Sequence, residues 1–185
     1  MNESEFVFDL VDKYTPETVI RGLLEQVESA TRGYVCGEIQ EYSGEITSYT
    51  YMKKSGLVSA LNTLQTSETI HVDIQDELGE QDKVDHRYEV FLRVKGLEHY
   101  KYRMMFVDYG TVSYPVTIIM NEELAIEYSG KRNCIFNVVS MKSLEDMMNK
   151  ILTCKTILSL IQNLINEAIR QENKNVSVTE TYVEA

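Results

Sequence analysis

Seven carboxylates crowd into residues 67–86, namely Glu68, Asp73, Asp76, Glu77, Glu80, Asp82 and Asp85, against the single base Lys83, a local balance of −6. Three kinds of chemistry use such a cluster. As a solvated connection it keeps the chain soluble. As a calcium loop it would need acids, a glycine and a closing glutamate in EF-hand order, which the stretch from Asp73 through Gly79 does not supply. As a polyanion it would place carboxylates where a nucleic acid carries phosphates, and so satisfy the Lys and Arg of a basic groove.

The next stretch has the opposite sign. Residues 87–108 hold Arg87, Arg93, Lys95, Lys101 and Arg103 against Glu89, Glu98 and Asp108, a balance of +2, with tyrosine and phenylalanine interleaved. Bases could stack on such a sheet. Strand parity argues otherwise: Tyr88, Tyr100 and Tyr102 fall on one face, and Arg93, Lys95, Lys101 and Arg103 on the other, the ordinary apolar-in, charged-out arrangement.

His71, His86 and His99 are the three histidines, none at metal-ligand spacing from another, and each is expected to be structural or surface-exposed. Cys36, Cys134 and Cys154 are far apart, form no C-x-x-C pair, and read as three reduced thiols. No Gly-x-Ser-x-Gly elbow, Walker loop, Gly-x-Gly-x-x-Gly turn or His-Glu-x-x-His helix occurs. No catalytic residue, metal or cofactor is expected. Twelve tyrosines without a tryptophan mark either a sheet surface or a recognition face. Tyr49 and Tyr51 share a strand face, packed under a helix or exposed as a contact patch.

The elements that position these residues follow from periodicity. Phe6, Val7, Leu10, Val11 and Tyr14 line one face of a short helix; Thr15-Pro16-Glu17 then opens a second, with apolar face Val19, Ile20, Leu23, Leu24 and Val27, ended by Gly33. The outer face of this helical hairpin carries Asp9, Asp12, Glu17, Glu25 and Glu28. Tyr34–Met52 reads as a β-hairpin turning at Ser43-Gly44. A helix over Leu57–Leu64 and a strand over Ile70–Ile74 follow.

The alternation of Tyr88, Val90, Leu92 and Val94, then of Tyr100, Tyr102, Met104 and Phe106, predicts a hairpin turning at Lys95–Glu98. A strand over Val112–Met120 comes next, placed at an edge or beside a bulge because Pro115 lacks a donor. Leu124, Ile126 and Tyr128 suggest a further short strand, and Cys134–Val139 another. Helical period returns over Ser140–Leu152 and Lys155–Gln171. The last of these is apolar on more than one stripe, so it is either the central helix on the sheet or is partly covered by a second copy of the chain, a homodimer.

The whole is an α+β fold: a helical hairpin, a mostly antiparallel meander sheet and two C-terminal helices packed on it. Residues 1–172 form one domain and 173–185 a polar, mobile tail. With 185 residues, 43% hydrophobic and 25% charged, the chain has the balance of a globular protein. A net charge of −11 and a pI of about 4.8 argue against gripping nucleic acid through a broad basic face. The acidic start lacks a secretory signal, and Ile151–Ile169 is interrupted by polar residues, so a cytoplasmic location is expected.

These features predict a small cytoplasmic binding protein rather than an enzyme. It would be an inhibitor that docks an acidic, nucleic-acid-mimicking surface on a basic nucleic-acid-binding protein or nuclease. Accessory proteins of phages and mobile elements have this general character. The predicted contact residues are Asp73, Asp76, Glu77, Glu80, Asp82, Asp85, Tyr49 and Tyr51. The alternative is a ligand-binding or sensory domain with an apolar pocket between the sheet and the final helices; a third reading is an enzyme with a dispersed carboxylate or histidine site.

Overall fold

A computed structural model describes residues 11–44, 46, 85–97 and 99–181, with side chains as far as Lys174. Among them are four helices and one five-stranded antiparallel sheet. In chain order these are α1 (Pro16–Ala30), β1 (Val35–Glu41), β2 (His86–Val94), β3 (Tyr102–Tyr109), β4 (Val116–Met120), α2 (Glu122–Ser129), β5 (Ile135–Val138), α3 (Met141–Leu152) and α4 (Lys155–Thr181). The strands lie in the order β1-β2-β3-β4-β5, a meander in which sequence neighbours are sheet neighbours. The fold class is therefore the α+β meander with C-terminal helices that the periodicity predicts.

α1 begins where Thr15-Pro16 places it. Thr15 has extended backbone (φ −68, ψ 154), but its hydroxyl donates to Glu17 Oε1 at 2.6 Å instead of capping a backbone N–H. Val19, Ile20 and Leu24 are buried on the sheet. Of the helix expected before α1, residues 1–10 lie outside the described ones, while Val11–Tyr14 are not helical. There Asp12 Oδ1 accepts from the backbone N of Met141, and Tyr114 Oη donates to the Tyr14 carbonyl, so local helical bonding gives way to tertiary partners.

The helix-side core joins α1, α3 and α4 to alternate residues of the strands: Val35 and Ile39, Val90 and Leu92, Met105 and Val107, Val116 and Ile118. Register explains this set, because Val90 faces Met105 and Val107 faces Ile118. One irregularity departs from the expected alternation. Val90 pairs with Met105 but Phe91 with Arg103, so Met104 is an extra residue on β3. Beyond it Met105, Val107 and Tyr109 face the helices and Phe106 turns to the opposite face, whereas unbroken alternation places Met104 and Phe106 together.

Three expected elements differ. Leu124, Ile126 and Tyr128 belong to α2, not to a strand, because capping overrides their alternation. Asn121 Oδ1 accepts from Leu124 N at 2.9 Å, and Gly130, at φ +72, donates its N–H to the Ile126 carbonyl at 2.7 Å. β4 starts only at Val116 and lies between β3 and β5, so Pro115 stands before an interior strand instead of inside an edge strand. α4 continues through residues 173–181 of the expected tail. Neither glycine nor proline interrupts that stretch, and Glu172 is held to the sheet by Tyr34 Oη at 3.2 Å and Lys95 Nζ at 3.2 Å.

α4 is capped in trans. Glu127 of α2 accepts from Lys155 N at 2.6 Å and from Thr156 N at 3.1 Å, taking up donors that the first turn of a helix leaves free. No helix among the described residues is long and apolar enough to cross a membrane.

Candidate partner-binding site

The pairing of β1 with β2 decides how the predicted contact residues are held. Glu41 lies opposite Tyr88, so the chain leaves β1 and returns to β2 at one end of two adjacent antiparallel strands. Two to five residues suffice for such a connection. Here it spans residues 42–85, 44 in all, with eight acids and three bases, a net of −5. All eight predicted contact residues fall within it. Asp85 is exposed immediately before β2; Asp73, Asp76, Glu77, Glu80, Asp82, Tyr49 and Tyr51 lie outside the described residues. So do His71, the helix expected over Leu57–Leu64, the strand over Ile70–Ile74 and the second arm of the Tyr34–Met52 hairpin; its first arm is β1, whose partner is β2.

The mouth of the connection is a polar cavity of about 240 Å³ lined by Glu41, Tyr42, Ser43, Asp85, His86, Arg87 and Tyr88. The departing chain is fastened there. Tyr42 N donates to the Arg87 carbonyl at 2.9 Å, Arg87 Nη1 donates to the Gly44 carbonyl at 3.4 Å, and the Tyr42 ring rests 4.8 Å from that of Phe106. Gly44 sits so close to Tyr42 that a Cβ would lie 2.5 Å from the phenol oxygen. Ile46 is buried beside Met104, Phe106 and Ile119, so the chain departs over the sheet face opposite the helices.

That face carries the basic hairpin, and its cations are already paired. Glu89, 6% exposed, accepts from Lys101 and from Arg103 Nε at 2.8 Å. Arg93 is 3.3 Å from Glu38 and Arg87 is 3.6 Å from Asp108, while Lys95, past the end of β2, reaches Glu172 of α4 on the helix side. Lys101 also lies 3.8 Å above the Phe91 ring, while Arg103 covers Phe106 at 4.9 Å and Tyr42 at 5.4 Å. Burial pushes the Glu89 carboxyl up, but the hydrogen bonds and charges of Lys101 and Arg103 outweigh it and hold the group below the usual carboxylate range. Each cation of the hairpin thus has a carboxylate within 3.6 Å, which a phosphate would have to displace.

Behind the mouth a second network joins α1 to the sheet. Tyr109 Oη donates to Glu17 Oε2 at 2.5 Å, and His86 stacks on Tyr109 at 4.9 Å. Burial, then the bonded Glu17 carboxylate, push the Tyr109 phenol far above its ordinary value. Burial also pushes Glu17 up, but the bonds from Thr15 and Tyr109 prevail and lower it. Glu17, expected on the outer face of α1, therefore points into the molecule; Glu25 and Glu28 remain exposed.

A second concavity lies on the helix side. Its lining includes Leu23, Val27 and Ala30 of α1, Leu152 of α3, and Leu158, Ile161 and Ile165 of α4, and it measures about 460 Å³. It is a groove among three helices, whereas the expected apolar pocket lay between sheet and helices. Tyr42, Glu89 and this groove escape sequence reasoning because their partners are distant in the chain. Among the described residues, no group of three or more His, Cys, Asp or Glu side chains could hold a metal ion. No family model matches the chain, and no curated protein or solved structure matches it either.

Proposed function

We propose that the protein is a cytoplasmic binding protein that docks the acidic connection between β1 and β2 on a basic partner, such as a nuclease or other nucleic-acid-binding protein. It would act as an inhibitor of the phage or mobile-element accessory type. The supporting observation is where the charge lies. The described residues hold 15 Lys and Arg against 17 Asp and Glu, a net of −2, while the remaining residues hold 3 against 12, a net of −9. The scaffold is close to neutral, and most of the excess acid sits in the connection and at the chain ends. A connection of this length between directly paired strands is an insertion, and long insertions in compact domains commonly carry function. Carboxylates there can take the place of phosphates in a basic groove.

The test is a pull-down with the full chain at low and high salt, followed by titration of the purified partner. The reading expects a basic nucleic-acid-binding protein that nucleic acid displaces. Its affinity should fall steeply with salt, and by about 0.4–2 kcal/mol when Asp76→Asn and Glu77→Gln remove two exposed ion pairs. Partner binding that ignores both salt and these substitutions refutes it.

A further inference from the structure

α4 does not finish its work on this chain. Its inner side buries Ile157, Ile161, Leu164 and Ala168, but Leu158 and Ile169 stay 51% and 39% exposed, with Ile165 half-buried between them. Leu158, Gln162, Ile165 and Ile169 recur at i, i+4, i+7 and i+11, one stripe along the helix, of which Leu158, Gln162 and Ile165 line the groove with α1. A largely apolar, uncharged stripe of this kind on a helix marks a contact surface.

Charge identifies what covers it. Residues 156–166 contain no charged side chain in a chain of net −11. On α1 the groove is lined by Leu23, Gln26 and Val27, while helical spacing turns the exposed Glu25 and Glu28 away from it. A basic partner finds no carboxylate on this stripe to neutralise. A second copy, which is repelled by the acidic surfaces, can approach here without juxtaposing like charges. The groove's amides suit it too. Gln26, Asn149 and Gln162 each offer both donor and acceptor, as a two-fold interface needs where one patch meets itself. We propose that the α4 stripe and the groove beside it form a homodimer interface, with α4 packed against α4 of the partner.

Sedimentation equilibrium of the full chain from micromolar to 0.1 millimolar (a range of about two decades) tests this at low and high salt. The expected result is a species of twice the 21.3 kDa chain mass, whose dissociation constant falls as salt screens the two like-charged copies. This salt dependence is opposite to that of docking on a basic partner, so the two proposals fail separately. Leu158→Glu with Gln162→Glu, at exposed positions that leave folding intact by circular dichroism, should raise the dissociation constant about a hundredfold by placing like charges across the two-fold. Glu25→Gln should leave it unchanged. A monomer under all conditions overturns the proposal, including one whose groove instead binds a small apolar dye. So does a dimer that the double substitution leaves intact.

Discussion

Replacing Gly37 by alanine should destabilise the fold, although alanine is ordinarily the better residue in a regular element. Gly37 lies in β1 opposite Leu92, on the face that α1 covers. A Cβ built there would stand 2.6 Å from Leu24 Cδ2, 2.8 Å from Leu24 Cβ and 3.0 Å from its Cγ. Carbon atoms pack at about 3.5–4.0 Å. Rotating Leu24 can remove the first clash but not the second, since its Cβ moves only with the helix backbone. α1 must therefore withdraw by about 1 Å. Overpacking of this kind costs about 1–3 kcal/mol, offset by about 0.4–1 kcal/mol from the restricted unfolded chain. The net loss of about 0.5–2 kcal/mol lowers the urea midpoint by about 0.3–1 M at an m of about 2 kcal/mol/M. Leu24→Ala alone opens a cavity at a buried position and costs about 2–5 kcal/mol. In the double variant the contacts with Cδ2 and Cγ are gone while the one with the residue-24 Cβ persists, so the losses should fall short of additivity only in part, by about 0.5 kcal/mol. An unchanged or raised midpoint in Gly37→Ala would refute the close approach of α1 to β1.

Three further outcomes are expected. Tyr109→Phe removes the bond to Glu17 and should cost about 1–2 kcal/mol at neutral pH. Because the folded Glu17 pKa is lowered, this stability is present above the ordinary carboxylate value and lost as pH falls through the folded one, so midpoints of wild type and variant should converge in acid. Glu89→Gln should cost a similar amount, about 1–2 kcal/mol, discounted because Lys101 and Arg103 can turn to solvent. The same sign holds: its folded pKa is also lowered, so the penalty should shrink as pH falls below the ordinary carboxylate value and on through the folded one, and a penalty that stays constant from neutral pH into acid would contradict the pairing. Burial, then the nearby Glu28, push the Cys36 thiol up, so Cys36 should react slowly with a disulfide reagent at mildly alkaline pH and faster in Glu28→Gln. No acceleration would mean that Glu28 does not act on the thiol.

Legibility differed by element. The β2–β3 hairpin was plain because both strands alternate strongly about a Lys95-Gly96 turn, and β1, β5, α1 and α3 were located by period and flanking residues. α2 carries helix signals that its alternation masks: Asn121 before two glutamates and Gly130 after Ser129 are helix caps, and a three-residue alternation is too short to outweigh them. The Met104 bulge had no local signal, since it exists only as a mismatch between β2 and β3. The charge pattern of the candidate site was fully legible. Its setting was not, since nothing in residues 42–85 announces that the strands on either side pair with each other.

The sequence by itself determined what is local: the helical and strand periods, the caps, the concentration of acid in residues 67–86 and the uncharged run of α4. These depend on residue type and spacing, and spacing is fixed by the backbone. Tertiary structure alone decided that β1 pairs with β2, which makes the acidic stretch an insertion. It decided that Glu89 lies between Lys101 and Arg103, that Glu17 turns inward to Tyr109, and that Leu158 borders a groove with Leu23 and Val27. Each of these is a contact between residues far apart in the chain. Such contacts are selected by the simultaneous packing of all the apolar faces, which no single stretch of sequence encodes.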